Sequence, residues 1–200
     1  MSSTQQLLLA EGGGRATPNY IEDVFSTYLY TGNGATQSIV NNIDLATKGG
    51  LTWIKCRSSA FTHTWFDTAR GATKFLQSPA QTAETTAATS LTSFNTTGFT
   101  TGAYALTNTN ADTYVSWSFR KQPKFFDIVT YTGNGGTAQT ISHNLGSTPG
   151  CMIIKISVGG SEDWVVWHRS FATPTTEAMF LNTADAVSSP YSGQLWNGVA

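Results

Sequence analysis

The residues able to do chemistry in this chain are few and scattered. Asp67, Glu84, Glu162, Asp163 and Glu177 are the carboxylates from which a glycosidase could draw an acid and its partner. Such a pair must share a cleft at a defined separation, and no spacing here brings two of them together. The sharpest local motif is Asp67-Thr68-Ala69-Arg70-Gly71, in which the Asp67 carboxylate and the Arg70 guanidinium could hold a ligand or fix a turn. Turn-fixing accounts for the motif as well as ligand binding does, and it is the preferred reading. His63, His143 and His168 share no ligand spacing with one another or with Cys56 and Cys151, so no zinc signature exists. Asn108-Thr109-Asn110-Ala111-Asp112 begins like a calcium loop but lacks the following Gly and the distal Glu. It reads instead as a hairpin turn rich in Asn and Asp. Gly159-Gly160-Ser161 lacks the Gly-x-Ser-x-Gly pattern of a nucleophile elbow. The expectation is a protein that is not an enzyme and takes no metal or cofactor.

The elements that carry these residues follow from composition and from an internal repeat. Of 200 residues 40% are hydrophobic, enough for real cores, while only 12% are charged. Thr, Ser, Asn and Gly fill the difference, which is the composition of an all-β protein with short strands and many turns. A net charge of -1 argues against an electrostatic grip on nucleic acid, and no stretch is long enough for a membrane span. The repeat begins at Tyr30-Thr31-Gly32-Asn33-Gly34, which returns as Tyr131-Thr132-Gly133-Asn134-Gly135, 101 positions later (131 minus 30). Gln37 and Ile39 are answered by Gln139 and Ile141, Ile54-Lys55 by Ile154-Lys155, and Trp65 to Arg70 by Trp164 to Arg169. The chain is therefore read as two copies of one module. Asn-Gly favours a type I′ turn, so each Tyr-Thr-Gly-Asn-Gly is expected to close a hairpin. It is no phosphate loop, since neither Gly-Lys-Ser/Thr nor a helical pattern follows.

In chain order, residues 1–24 carry Gly12-Gly13-Gly14 and Thr17-Pro18 without sustained periodicity and are expected to form an extended arm, with Leu7, Leu8 and Leu9 as the residues that would dock it on a partner. The start lacks a basic n-region and its apolar run is too short for a signal peptide. Residues 25–121 form the first module, with strands expected at Phe25 to Thr31, Thr36 to Asn41, Leu51 to Cys56, His63 to Asp67, Gly71 to Leu76, Phe99 to Thr101 and Tyr114 to Phe119. In the last of these Val115, Trp117 and Phe119 alternate with Tyr114, Ser116 and Ser118, the pattern of a half-buried strand. Ala80 to Ser90 has no apolar stripe and reads as a surface loop or one helical turn. Arg120 to Lys124 is a short, basic, solvated connector, and residues 125–200 form the second module. Its counterpart of the closing strand would fall near position 216, so the missing strand is expected from further chain or from a neighbouring subunit. Four of the six tryptophans are assigned to the core. The remaining aromatic residues, on a polar scaffold of low charge, suit sugars, whose apolar faces stack on rings.

The run Tyr28 to Gly34, Leu51-Thr52-Trp53-Ile54-Lys55, Asp67 to Gly71 with Lys74, Ser90 to Phe94, Gly98-Phe99 and Tyr114 to Trp117, with Asp163-Trp164 to His168, Leu181-Asn182 and Trp196-Asn197 in the second copy, resembles the tandem concanavalin-like (laminin-G-like) modules of tail-fibre and other virion structural proteins of marine and cyanobacterial bacteriophages. The resemblance covers nearly the whole chain after the arm. It implies tandem jelly-roll β-sandwiches and assembly into the virion, and the lack of a secretion signal fits synthesis in the host cytoplasm. The implied partners are other virion proteins, reached through the arm, further copies of the chain, with a trimer favoured, and a host-surface glycan. No binding residues are transferred by it. A purely structural connector or decoration protein is the first alternative. A capsular polysaccharide depolymerase, with Asp67 or Asp163 beside a second carboxylate, is the other.

Overall fold

A computed structural model describes residues 20–136 and 138–189, and the fold is all-β. The described chain opens with one helical turn, α1 (Ile21–Val24), begun by the Tyr20 N–H donating to the Asp23 carboxylate at 3.2 Å. Twelve strands follow: β1 (Phe25–Thr31), β2 (Gln37–Val40), β3 (Gly50–Cys56), β4 (Thr64–Asp67), β5 (Lys74–Gln77), β6 (Thr85–Thr86), β7 (Leu91–Asn95), β8 (Gly98–Thr101), β9 (Thr113–Arg120), β10 (Cys151–Ile154), β11 (Val165–His168) and β12 (Met179–Phe180), with a second helical turn, α2 (Ala105–Asn108), before β9. They form three antiparallel sheets, ordered β1-β9-β3-β4-β5-β6, β2-β8-β7 and β10-β11-β12.

Period-2 alternation gives the six-stranded sheet two different faces. On one face Tyr30, Ile54, Phe66, Phe75 and Tyr114 meet Ile39, Leu91 and Phe99 of the β2-β8-β7 sheet in a single core. The Tyr30 ring stacks on Tyr114 at 5.1 Å and meets the edge of Phe99 at 6.4 Å, geometries that favour ring pairs. On the other face Leu51, Trp65 and Leu76, with Trp53 and Phe119 packed beside them, form a second core to which Trp164, Phe126 and Ile128 from the second half of the chain also belong. The second half thus completes a core begun by the first, while the sandwich core is built from the first half alone. The connector is tied down accordingly: Lys121 Nζ lies 2.8 Å from Asp127 Oδ1, and the Gln122 N–H donates to the Phe126 carbonyl at 2.9 Å.

Three expectations are changed by the structure. Tyr30 to Gly34 closes no hairpin, because β1 and β2 belong to different sheets and the segment crosses between them. Gly34 alone takes a positive φ, +65°, where a type I′ turn needs two such residues. The crossing is clamped by Asn108, buried at 0% exposure, whose Oδ1 accepts the Asn33 N–H at 2.9 Å and whose Nδ2 donates to the carbonyls of Gly102 at 3.0 Å and Ala35. A Cβ at Gly32 would stand 2.1 Å from the Thr109 carbonyl oxygen, so only glycine admits this approach. Residues 108–112 are correspondingly not a hairpin turn but the link from α2 to β9.

The third change concerns β9, which is covered on both sides rather than half-buried. Its Ser116 and Ser118 lie in the sandwich interior with Tyr114, all fully buried. Ser118 Oγ accepts from Asn41 Nδ2 at 2.9 Å and shares a hydrogen bond with Thr52 Oγ1 at 3.2 Å, which offsets the cost of burying hydroxyls. In the second half, β10, β11 and β12 occupy the places that β3, β4 and β5 hold in the first. The counterparts of β1 and β2, near residues 127–131 and 138–141, form no strand. In the first half those strands pair with β9 and β8, and no counterpart of either lies among the described residues.

Candidate functional site

Asp67 ends β4 and Arg70 follows in the turn. Asp67 Oδ1 accepts the Arg70 N–H at 2.8 Å, and Oδ2 accepts Arg70 Nε at 2.5 Å. Arg70 Nη2 donates to the Trp65 carbonyl at 2.9 Å, and Nη1 lies 3.5 Å from Glu84 Oε2. Lys74 Nζ reaches the other Glu84 oxygen at 3.3 Å. The Asp67 and Arg70 side chains are each only 8% exposed. Asp67 and Glu84 therefore sit near each other with a guanidinium between them, an arrangement that locks the turn and the β5–β6 edge. Asp163 lies elsewhere, accepting from Gln81 Nε2 at 2.8 Å and Asn182 Nδ2 at 2.6 Å. Those hydrogen bonds, with Lys155 nearby, hold its carboxyl below the usual range. The docking residues Leu7, Leu8 and Leu9 lie outside the described residues.

The arrangement with the most surface chemistry is a row of tryptophans that no spacing in the sequence reveals. In the register of the six-stranded sheet Trp53 of β3 stands opposite Trp117 of β9 on one side and opposite Trp65 of β4 on the other. Their rings are 5.1 Å and 4.7 Å apart, and Trp164 from the second half lies 5.0 Å beyond Trp65. Trp65 and Trp164 are buried, whereas Trp53, Trp117 and Trp167 are half-buried. Cross-strand aromatic pairs of this kind stabilise a sheet and fix the rings in place.

Trp53 lies at the edge of a shallow groove of about 350 Å³ where the two halves meet. Trp53, His63, Ser78 and Pro79 line one side, and Leu181, Asn182, Thr183 and Ala184 the other. His63 Nδ1 accepts the Trp53 indole N–H at 2.8 Å. A neutral imidazole that accepts at Nδ1 carries its hydrogen on Nε2. Burial, and then the charge of Lys55, lower the His63 pKa and favour that neutral form. Asn182 is held from both ends, Oδ1 taking the Trp164 N–H at 2.8 Å and Nδ2 donating to Asp163. The groove thus offers a propped aromatic ring, one imidazole N–H and hydroxyls.

Among the described residues no three His, Cys, Asp or Glu side chains gather as metal ligands, and no helix is long and apolar enough to cross a membrane. Cys56 is buried and Cys151 exposed, both as free thiols.

No curated protein and no solved structure matches this chain significantly. A domain family of unknown function, DUF7483, matches residues 21–200. Since that match takes in both halves of the fold and the groove between them, the chain belongs to the DUF7483 family.

Proposed function

We propose that this protein is a bacteriophage virion structural protein, a tail fibre or its virion-proximal part. Its N-terminal arm docks on other virion proteins, and its β-sandwich body meets the host surface. The body is read as concanavalin-like: the β2-β8-β7 sheet faces the six-stranded sheet across one core, and the second copy packs on the opposite face. The observation that carries the adhesion reading is the tryptophan row ending in an open groove, on a scaffold with few charges. Rings held in this way suit the apolar faces of sugars. The body assembles as a homo-oligomer, a trimer in a fibre.

A connector or decoration role is the second reading, and a different patch favours it. Tyr20 and Ile21 are 59% and 60% exposed and adjoin Phe125, 38% exposed, at the root of the arm. Exposed apolar residues gathered in this way suit a protein interface. A reconstruction of the assembled particle, traced from Met1, separates the two. Outward-facing modules with an ordered arm support adhesion. Modules enclosed by other virion subunits on the groove side overturn it in favour of the connector.

A further inference from the structure

We propose that the groove between Trp53 and Leu181–Ala184 is a binding site for one neutral sugar residue of a glycan. The inference rests on the adhesion reading and gives that reading a location.

The chemistry of the lining selects the class of ligand. None of the eight lining residues carries a charge at neutral pH, because the one titratable group, His63, uses Nδ1 to accept from Trp53 and is held neutral. An anionic ligand would find no cation to pair with at the lining, and a cationic ligand no carboxylate. A fully apolar ligand would leave the His63 Nε2–H and the Ser78 hydroxyl without partners, since neither finds one among the described residues. A pyranose satisfies both demands, with a C–H face for the indole and hydroxyls for the imidazole N–H and the serine. At about 350 Å³ the groove is at the small end of ligand sites, which fits one sugar unit rather than an extended chain.

The site is also built before a ligand arrives. Trp53 cannot swing freely, since it is flanked by Trp65 at 4.7 Å and Trp117 at 5.1 Å and its N–H is held by His63. The opposite wall is fixed by Asn182, which is hydrogen-bonded to the Trp164 backbone and to Asp163. Little side-chain entropy is left to lose on binding, so even a small contact can give measurable affinity. The position agrees with the general preference of ligands for the junction between packed units.

The test is a titration of the full chain with the methyl glycosides of glucose, galactose, mannose and N-acetylglucosamine, followed by the indole N–H and imidazole signals in NMR and by tryptophan fluorescence. At least one glycoside is expected to bind with millimolar affinity and to shift the Trp53 and His63 signals. Leu181→Arg, at an exposed position, should weaken binding at least tenfold without changing the melting temperature, and Trp53→Phe should weaken it with the sheet intact. Three results overturn the proposal: no response to any of the four glycosides, an affinity unchanged in Leu181→Arg, or tighter binding of methyl glucuronide than of the neutral sugars. Adhesion of the intact protein to host cells, measured in parallel, separates the two claims. Adhesion that survives Leu181→Arg removes this site and leaves the adhesion reading, whereas absence of adhesion in the unaltered protein removes both.

Discussion

The indole of Trp164 lies 5.0 Å from that of Trp65, and its Nε1–H is shared between the carbonyls of Gln77 and Ala80, each 3.1 Å away. One side chain from the second half of the chain is thereby buried on the first half's sheet, 3% exposed. Around it Lys155 Nζ donates to the Gln81 carbonyl at 2.7 Å, and the Glu84 N–H donates to the Ser157 carbonyl at 2.8 Å. The relation between the halves is a packed core and not a flexible tether.

Trp164→Ala is accordingly expected to cost about 3–5 kcal/mol, the range for emptying a buried aromatic site. Urea denaturation should show this as a lower midpoint. Trp164→Phe, which keeps a ring but loses the N–H, should cost less than the alanine change. Equal stability of the alanine variant and the parent would show that the shared core contributes nothing.

The Asp67–Arg70 pair makes a second prediction. Removing Arg70 leaves the nearly buried carboxylates of Asp67 and Glu84 close together without their shared cation. Breaking a buried pair from one side costs about 3–5 kcal/mol. Arg70→Lys is expected to recover little, since an ammonium cannot serve Asp67, Glu84 and the Trp65 carbonyl at once. Thermal melts of the two variants measure the difference.

His63 predicts a pH effect with a definite sign. Burial and the Lys55 charge lower its folded pKa, so between the folded and unfolded values the unfolded state binds the extra proton. Its contribution to stability is present above the ordinary histidine pKa of about 6.5 and is lost as pH falls through the lower folded value. His63→Gln should remove that part of the pH dependence, measured as melting temperature against pH. NMR titration of the imidazole reports the folded pKa directly.

Asp127 predicts a further loss in acid. Burial opposes its ionisation, but hydrogen bonds from Lys121, Asn144 and Ile128 and the Lys121 charge together hold its carboxyl below the usual range. Stability from this group is present above the unfolded carboxylate pKa of about 3.9 and disappears as pH falls through the folded value. Asp127→Asn should flatten the acid limb of the stability profile and loosen the connector, seen as faster amide exchange at Gln122 and Phe126.

The two thiols give the simplest check on the fold. Cys56 is 1% exposed and Cys151 lies on the surface. A thiol reagent should therefore modify Cys151 in the native protein and Cys56 only after denaturation. Rapid modification of both in the native state would contradict the packing around β3.

Local structure was legible in the sequence. Alternation and β-branched or aromatic runs located Phe25 to Thr31, Leu51 to Cys56 and Tyr114 to Phe119 because a strand's two faces are written into neighbouring residues. The contact between Asp67 and Arg70 was legible for the same reason, lying within one turn. Strand register and the stacking of layers set the rest, and neither is written into neighbouring residues. Trp53, Trp65 and Trp117 stand far apart in sequence and become neighbours through strand pairing alone. Ser116 and Ser118 looked like a solvent face, yet a second sheet covers them and Asn41 and Thr52 supply their hydrogen bonds. Asn33-Gly34 looked like a hairpin, yet the buried amide of Asn108 turns that segment into a crossing between sheets. The groove has one wall from each half of the chain, so its existence depends on a packing energy that no single stretch of sequence contains.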